Sequence, residues 1–226
     1  MKPPLADVRG AVWAKDRVLV LLNGKANANN HLELYKLYSD GSLKKWAEGI
    51  GGYPDKMAMT FDGRLYLSDE ITLRCVKANG EVIDAAQETH VGISKLILSP
   101  DQTQLYTVSY SDGSIACRQL LADDRVGREQ SRFYQLEGQR RVLGLCVDTN
   151  GWLYAATSLG IQVCDQAGRV NFIIPIPKPA GDLCFGGKDL SELFIACGDK
   201  IYKRPTKAKG VVSGQQAPIK PPPPKL

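Results

Sequence analysis

The sequence predicts an all-β protein, a β-propeller with five recognisable four-stranded repeats. Three observations carry that expectation. Apolar residues alternate over short runs, as in strands that bury one face. No helical apolar period is sustained over a dozen residues. And one hairpin plan recurs: a short apolar strand, a turn rich in Asp, Asn and Gly, then a second apolar strand. The residue opening that second strand falls at Val18, Leu65, Leu105, Leu153 and Leu193, at spacings of 47, 40, 48 and 40 residues. Periods of about 40–50 residues made of short strands are the pattern of propeller blades. A stacked sandwich is the alternative, and the regular four-strand count favours radial repetition.

The first repeat opens on Gly10-Ala11-Val12-Trp13 and turns through Lys15-Asp16 into Arg17-Val18-Leu19-Val20-Leu21. A polar insertion at 23–30 reads as an exposed loop. His31-Leu32-Glu33-Leu34-Tyr35-Lys36-Leu37 follows, good helix formers that nevertheless alternate as a strand does. The second repeat turns at Phe61-Asp62-Gly63, with further strands around Leu73-Arg74-Cys75-Val76 and Glu81-Val82-Ile83. The third turns at Ser99-Pro100-Asp101 and continues through Ile115-Ala116-Cys117-Arg118 and Arg132-Phe133-Tyr134. The fourth turns at Asp148-Thr149-Asn150-Gly151 and adds Ile161-Gln162-Val163-Cys164 and Val170-Asn171-Phe172-Ile173-Ile174. The fifth turns at Gly186-Gly187-Lys188-Asp189. Asp-Gly and Asn-Gly pairs supply the positive φ that tight hairpins need. Val12, Met57, Leu96, Leu145 and Leu183 are expected on innermost strands around a channel. The last repeat should be the least complete and leave an exposed edge. The propeller is assigned to 1–210. The Pro-rich basic tail, 211–226, is expected to be disordered, and its part from Gln215 to Leu226 to make few contacts.

Composition narrows the classes. The 226 residues suffice for one substantial core. No run of 18 apolar residues is present, so no membrane-spanning helix is expected. Met1-Lys2-Pro3-Pro4-Leu5-Ala6-Asp7 does not have the pattern of a signal peptide. The net charge of +5 equals the five cations between Arg204 and Leu226, where no acid occurs. The rest is neutral, which argues against a nucleic-acid or membrane surface. Cys75, Cys117, Cys146, Cys164, Cys184 and Cys197 include no Cys-x-x-Cys and sit among apolar strand residues, as buried reduced thiols do. A cytoplasmic location fits them, although export stays open. With only His31 and His90 as histidines, a zinc site of Cys and His is not expected.

The chain resembles the family of gluconolactonases and regucalcin (senescence marker protein). The resemblance rests on Leu183-Cys184-Phe185-Gly186-Gly187-Lys188-Asp189, on Gly144-Leu145-Cys146-Val147-Asp148-Thr149-Asn150-Gly151-Trp152-Leu153-Tyr154-Ala155-Ala156, and on Leu159-Gly160-Ile161-Gln162-Val163-Cys164-Asp165 with Ile174-Pro175-Ile176-Pro177. It is specific from Leu98 to Gly210. It implies a six-bladed propeller, one repeat more than the five found, and a sugar-lactone hydrolase with a divalent cation, calcium or zinc, at the top of the channel. In such an enzyme the metal polarises the lactone carbonyl and a carboxylate activates water. By resemblance the ligands are a Glu, an Asn and an Asp at the openings of innermost strands. Here Arg9 takes the Glu position, Ser94 the Asn position and Leu143 the Asp position. An Arg cannot ligate a cation, and a Leu can neither ligate nor accept a proton.

Asp55 and Asp182 also fall at inner-strand openings. Pairing with Arg9 or Lys56 is the favoured expectation for them; a relocated metal site is the alternative. Asp69 and Glu70 are adjacent on a strand end and point to opposite faces, a poor chelate. No Gly-x-Ser-x-Gly occurs, and neither histidine is placed for a Ser-His-Asp set. The expectation is therefore a family member without the metal site, needing no cofactor. It would bind a small polar or sugar-like ligand at the channel mouth, or a protein partner. An active lactone hydrolase with a metal site rearranged around Asp55 and Asp182 is the competing reading. A third reading makes the propeller a rigid body and its tail a docking peptide.

Overall fold

A computed structural model describes residues 8–15, 17–23, 32–52, 54–69, 71–86, 92–128, 130–138 and 141–223. The polar insertion after Asn23, His31, His90, Glu70 and the first seven residues, on which expectations above rest, lie outside the described residues. Among those described there is no helix, so none is long and apolar enough to cross a membrane. Among the described residues nineteen strands form five antiparallel sheets, the blades of an all-β propeller fold. The first four blades have four strands and the last has three.

The contacts divide the chain into two compact units. The first comprises Met1–Ile93, Leu120–Gly127 and Val212–Ala217. Its first blade is β1 (Val8–Ala14), β2 (Arg17–Asn23), β3 (Leu32–Leu37) and β4 (Leu43–Ile50). Its second is β5 (Lys56–Met59), β6 (Leu65–Ser68), β7 (Leu73–Val76) and β8 (Val82–Asp84). Each strand pairs with the next in sequence. Leu19, Leu21, Leu34, Ile50, Leu65 and Leu67 pack as one buried cluster. The hairpin at 120–127 docks on this unit: the Val126 N–H donates to Ala85 O at 2.8 Å, and Tyr66 Oη donates to Asp124 O at 3.2 Å.

The second unit comprises Ser94–Gln119, Arg128–Val211 and Pro218–Leu226. Its blades are β9 (Ile93–Leu98) to β12 (Gln130–Tyr134), β13 (Gly144–Val147) to β16 (Val170–Ile174), and β17 (Ala180–Gly186), β18 (Glu192–Cys197) and β19 (Lys200–Pro205). Between these lie β10 (Gln104–Ser109), β11 (Ile115–Gln119), β14 (Leu153–Thr157) and β15 (Gly160–Cys164). Tyr154 meets Phe185 edge to face, with centroids 5.0 Å apart, within one cluster shared by the last two blades. The middle strands β14 and β15 are buried throughout, while every residue of β19 is exposed.

The hairpin plan is observed as expected. Val12, Met57, Leu96, Leu145 and Leu183 each lie on the first strand of a blade. Leu65, Leu105, Leu153 and Leu193 are fully buried near the start of the second strand, which explains why that position repeats. The last blade is the least complete, as its sequence indicated.

Two expectations differ from the structure. The thiols of five cysteines are buried, but Cys184 is exposed, because on β17 it alternates with the inward-facing Leu183 and Phe185. The tail also makes contacts. In the first unit the Lys15 N–H donates to Gly214 O at 2.6 Å, and Ser213 Oγ to Met59 O at 2.7 Å. In the second, the Ile219 N–H donates to Pro100 O at 2.8 Å and Gln166 Nε2 to Pro222 O at 2.7 Å. These bonds use backbone groups, which composition does not weigh.

Candidate functional site

The positions singled out by sequence occupy the openings of first strands, where irregular backbone aims them. In β1 the pairing passes from Val8↔Leu22 to Gly10↔Leu21, so Arg9 is the extra residue of a bulge and is exposed. Asp55 immediately precedes β5. The two openings are neighbours: a Cβ on Gly10 would lie 3.5 Å from Asp55 O and 2.8 Å from Met57 Cε. The carboxylate of Asp55 is engaged by Lys56 Nζ at 2.5 Å.

In the second unit, Ser94 is the second residue of β9 and its Oγ donates to Val108 O at 3.3 Å. Leu143 precedes β13, with its N–H donated to Ala156 O at 3.0 Å. Asp182 follows another irregularity, since pairing passes from Ala180↔Cys197 to Asp182↔Ala196. Its Oδ1 accepts the Leu183 N–H at 2.9 Å and packs against Gly144, where a Cβ would collide with that oxygen. The fold thus brings the opening of β13 against Asp182. What these openings offer a cation is limited in each unit. The first presents one carboxylate already bonded to an ammonium, together with a guanidinium. The second presents one carboxylate, one hydroxyl and an isobutyl group. Among the described residues no three or more His, Cys, Asp or Glu side chains are grouped to hold a metal.

Asp182 also acts on the nearby thiols. Although Cys184 is exposed, partial desolvation on its strand pushes its thiol up, and the Asp182 carboxylate adds to it. Burial holds Cys146 well above its ordinary value, with Cys184, Asp148 and Asp182 contributing. These thiols are poor nucleophiles.

One feature of this unit was missed by sequence reasoning. A cavity of about 440 Å³ lies at the far end of the β13–β14 hairpin from Leu143, between Trp152, Tyr154 and Phe172 on one side and Arg204 and Lys207 on the other. Its wall includes Asp148, whose Oδ1 accepts the Asn150 and Trp152 N–H groups at 2.9 and 3.0 Å while Tyr154 Oη reaches Oδ2 at 3.2 Å. Burial nevertheless raises this carboxyl above its ordinary value. The Asp148-x-Asn150-x-Trp152 spacing read as a turn and as part of the resemblance, not as a cavity wall, and Arg204 and Lys207 read only as tail charge. The cavity does not contain the positions implied by the resemblance; their chemistry, rather than cavity size, decides between the functional readings.

Comparison with known proteins places this geometry in context. The family described as SMP-30/Gluconolactonase/LRE-like region matches residues 75–198, more than half of the chain. Regucalcin of Oryctolagus cuniculus is 33% identical over 70 residues, covering 29% of this chain and 23% of that protein. The match therefore spans about a quarter of that curated relative. Among solved structures, the calcium-binding protein regucalcin of Agrobacterium tumefaciens aligns with a TM-score of 0.66 at 18% identity, over 90% of this chain and 77% of that one. A gluconolactonase of Xanthomonas campestris aligns with a TM-score of 0.63 at 18% identity, over 87% and 84%. At such identities the structural likeness shows the fold. The family match over more than half of the length shows more: this chain belongs to the SMP-30/gluconolactonase/LRE-like family.

Proposed function

We propose that the chain is a family member that has lost the metal site, a non-catalytic protein that binds a small polar, sugar-like ligand or a protein partner. The observation that carries this is the side-chain chemistry at three strand openings: Arg9, Ser94 and Leu143 stand where the resemblance calls for Glu, Asn and Asp. Hard divalent cations require several oxygen ligands, chiefly carboxylates. Exchanging Glu for Arg also places a like charge where the cation would sit, and exchanging Asp for Leu removes the group that would activate water. The residues present do not fit a divalent ion. Two contacts support the reading. The Asp55 carboxylate has Lys56 as its counter-ion, and the Asp182 carboxylate is turned onto the backbone of its own strand. One oxygen of each carboxylate is thus already engaged, which weighs against a rearranged hydrolase.

The test is a pH-based assay of gluconolactone-type ring opening by the full chain, with calcium or zinc supplied. No acceleration above the uncatalysed rate is expected. Metal-dependent turnover that disappears in Asp55→Asn or Asp182→Asn would overturn the proposal and establish a rearranged site.

A further inference from the structure

In the first unit, the turn ends of the first two blades enclose a second cavity, of about 210 Å³. Lys15, Arg17 and Lys36 line it together with Trp46 and Phe61, and no carboxylate is among its described lining residues. It lies at the opposite end of β1 from Arg9, roughly 20 Å away at ~3.3 Å of strand per residue.

The cations are held in place by their surroundings. The Lys15 backbone is fixed by its bond to Gly214 O, and its Nζ sits 4.3 Å from the Phe61 ring centroid. Lys36 Nζ lies 5.0 Å from the Trp46 centroid. Arg17 Cζ lies 5.1 Å from the Tyr38 centroid, with Nη1 donating to Tyr38 Oη at 3.3 Å. Ring faces attract cations without neutralising them. Across the same sheet, Lys45 has two carboxylates, Glu33 at 2.8 Å and Glu48 at 2.9 Å. Lys15 and Lys36 face none among the described residues. Lys36 instead pairs in register with Lys44, and burial, then Arg17 and Lys44, hold its ammonium below the ordinary lysine value. Among the described residues, Lys15 and Lys36 therefore bring to the cavity positive charge that a bound anion would relieve.

We propose that this cavity binds a small phosphate monoester, with Lys15, Arg17 and Lys36 holding the dianionic phosphoryl group. Three cations suit a dianion better than a single carboxylate. The volume is several times the ~30 Å³ share of one water, leaving room for a short carbon body beside the phosphoryl group.

The experiment is calorimetric titration of the full chain with glycerol 3-phosphate, inorganic phosphate and glycerol, at constant ionic strength in chloride. Saturable binding of glycerol 3-phosphate, weaker binding of phosphate and none of glycerol are expected. Lys36→Gln and Lys15→Gln should each weaken binding about tenfold or more, the loss of one charge-assisted contact. Lys95→Gln, in the other unit, should bind as the unaltered chain does. No saturable heat at millimolar glycerol 3-phosphate, or equal affinity in the two cavity variants, overturns the proposal. Should Lys36→Gln not fold, the ammonium of Lys36 followed by NMR in the unaltered chain gives the same decision. Its titration should move upward on saturation with glycerol 3-phosphate, and an unmoved titration contradicts the site.

Discussion

The carboxylate of Asp69 accepts the N–H groups of Ile71 and Thr72 at 2.8 and 2.7 Å and the Thr72 hydroxyl at 3.0 Å, all on Oδ1. Arg74 stands 3.9 Å from Oδ2 and donates to Gly51 O at 2.7 Å, tying the turn to the end of the first blade. Burial alone would raise this carboxyl, but the hydrogen bonds outweigh it and hold Asp69 below its ordinary value of 3.8. A lowered carboxyl contributes stability above its unfolded pKa and loses it as pH falls through the folded one. Asp69→Ala should therefore destabilise the chain by about 1–3 kcal/mol at pH 7, the cost of leaving such donors unpaired. In denaturant melts the gap should shrink toward pH 3; a gap independent of pH would show that the carboxylate's charge is not what matters. Asp69 was legible as a poor chelating residue, but its role as a turn acceptor was not. That role depends on where Ile71 and Thr72 point their N–H groups. The same limit applies to Cys184, whose exposure follows from strand phase rather than from its apolar neighbours.

At the scale of the element, hairpins were the most legible feature, because a buried Leu after an Asp/Gly turn marks both the turn and the face. The three-stranded last blade was legible from the chain that follows Lys203. The tail was not. Its apolar content is small, yet the Ile219 N–H and the Pro222 carbonyl each find a partner, and Pro221 packs over Gly151, where an added Cβ would lie 3.2 Å from its ring. Two such hydrogen bonds contribute roughly 0.5–1.5 kcal/mol each. Ending the chain at Ala217 should accordingly lower the melting temperature by about 2–12 °C, given ~2–4 °C per kcal/mol for a chain of this size. An unchanged melting temperature would restore the expectation of a tail with few contacts.

At the scale of the whole molecule, fold and family were legible because blade repeats impose a period on the sequence, and the motifs that carry the resemblance sit in the turns and strands of the last two blades. The site was legible only as substitutions at Arg9, Ser94 and Leu143. Their surroundings, the bulges before Gly10 and Asp182 and the Lys56 counter-ion of Asp55, come from the folded chain. The two cavities escaped sequence reasoning because each gathers residues from separate strands, turns and tail. Metal binding decides the central claim. The measurement is calorimetric titration of the unaltered chain with calcium and with zinc, alongside the triple variant Arg9→Glu, Ser94→Asn, Leu143→Asp. No tight binding by the unaltered chain and measurable affinity in the variant are expected. Micromolar binding by the unaltered chain that is lost in Asp55→Ala or Asp182→Ala would contradict it.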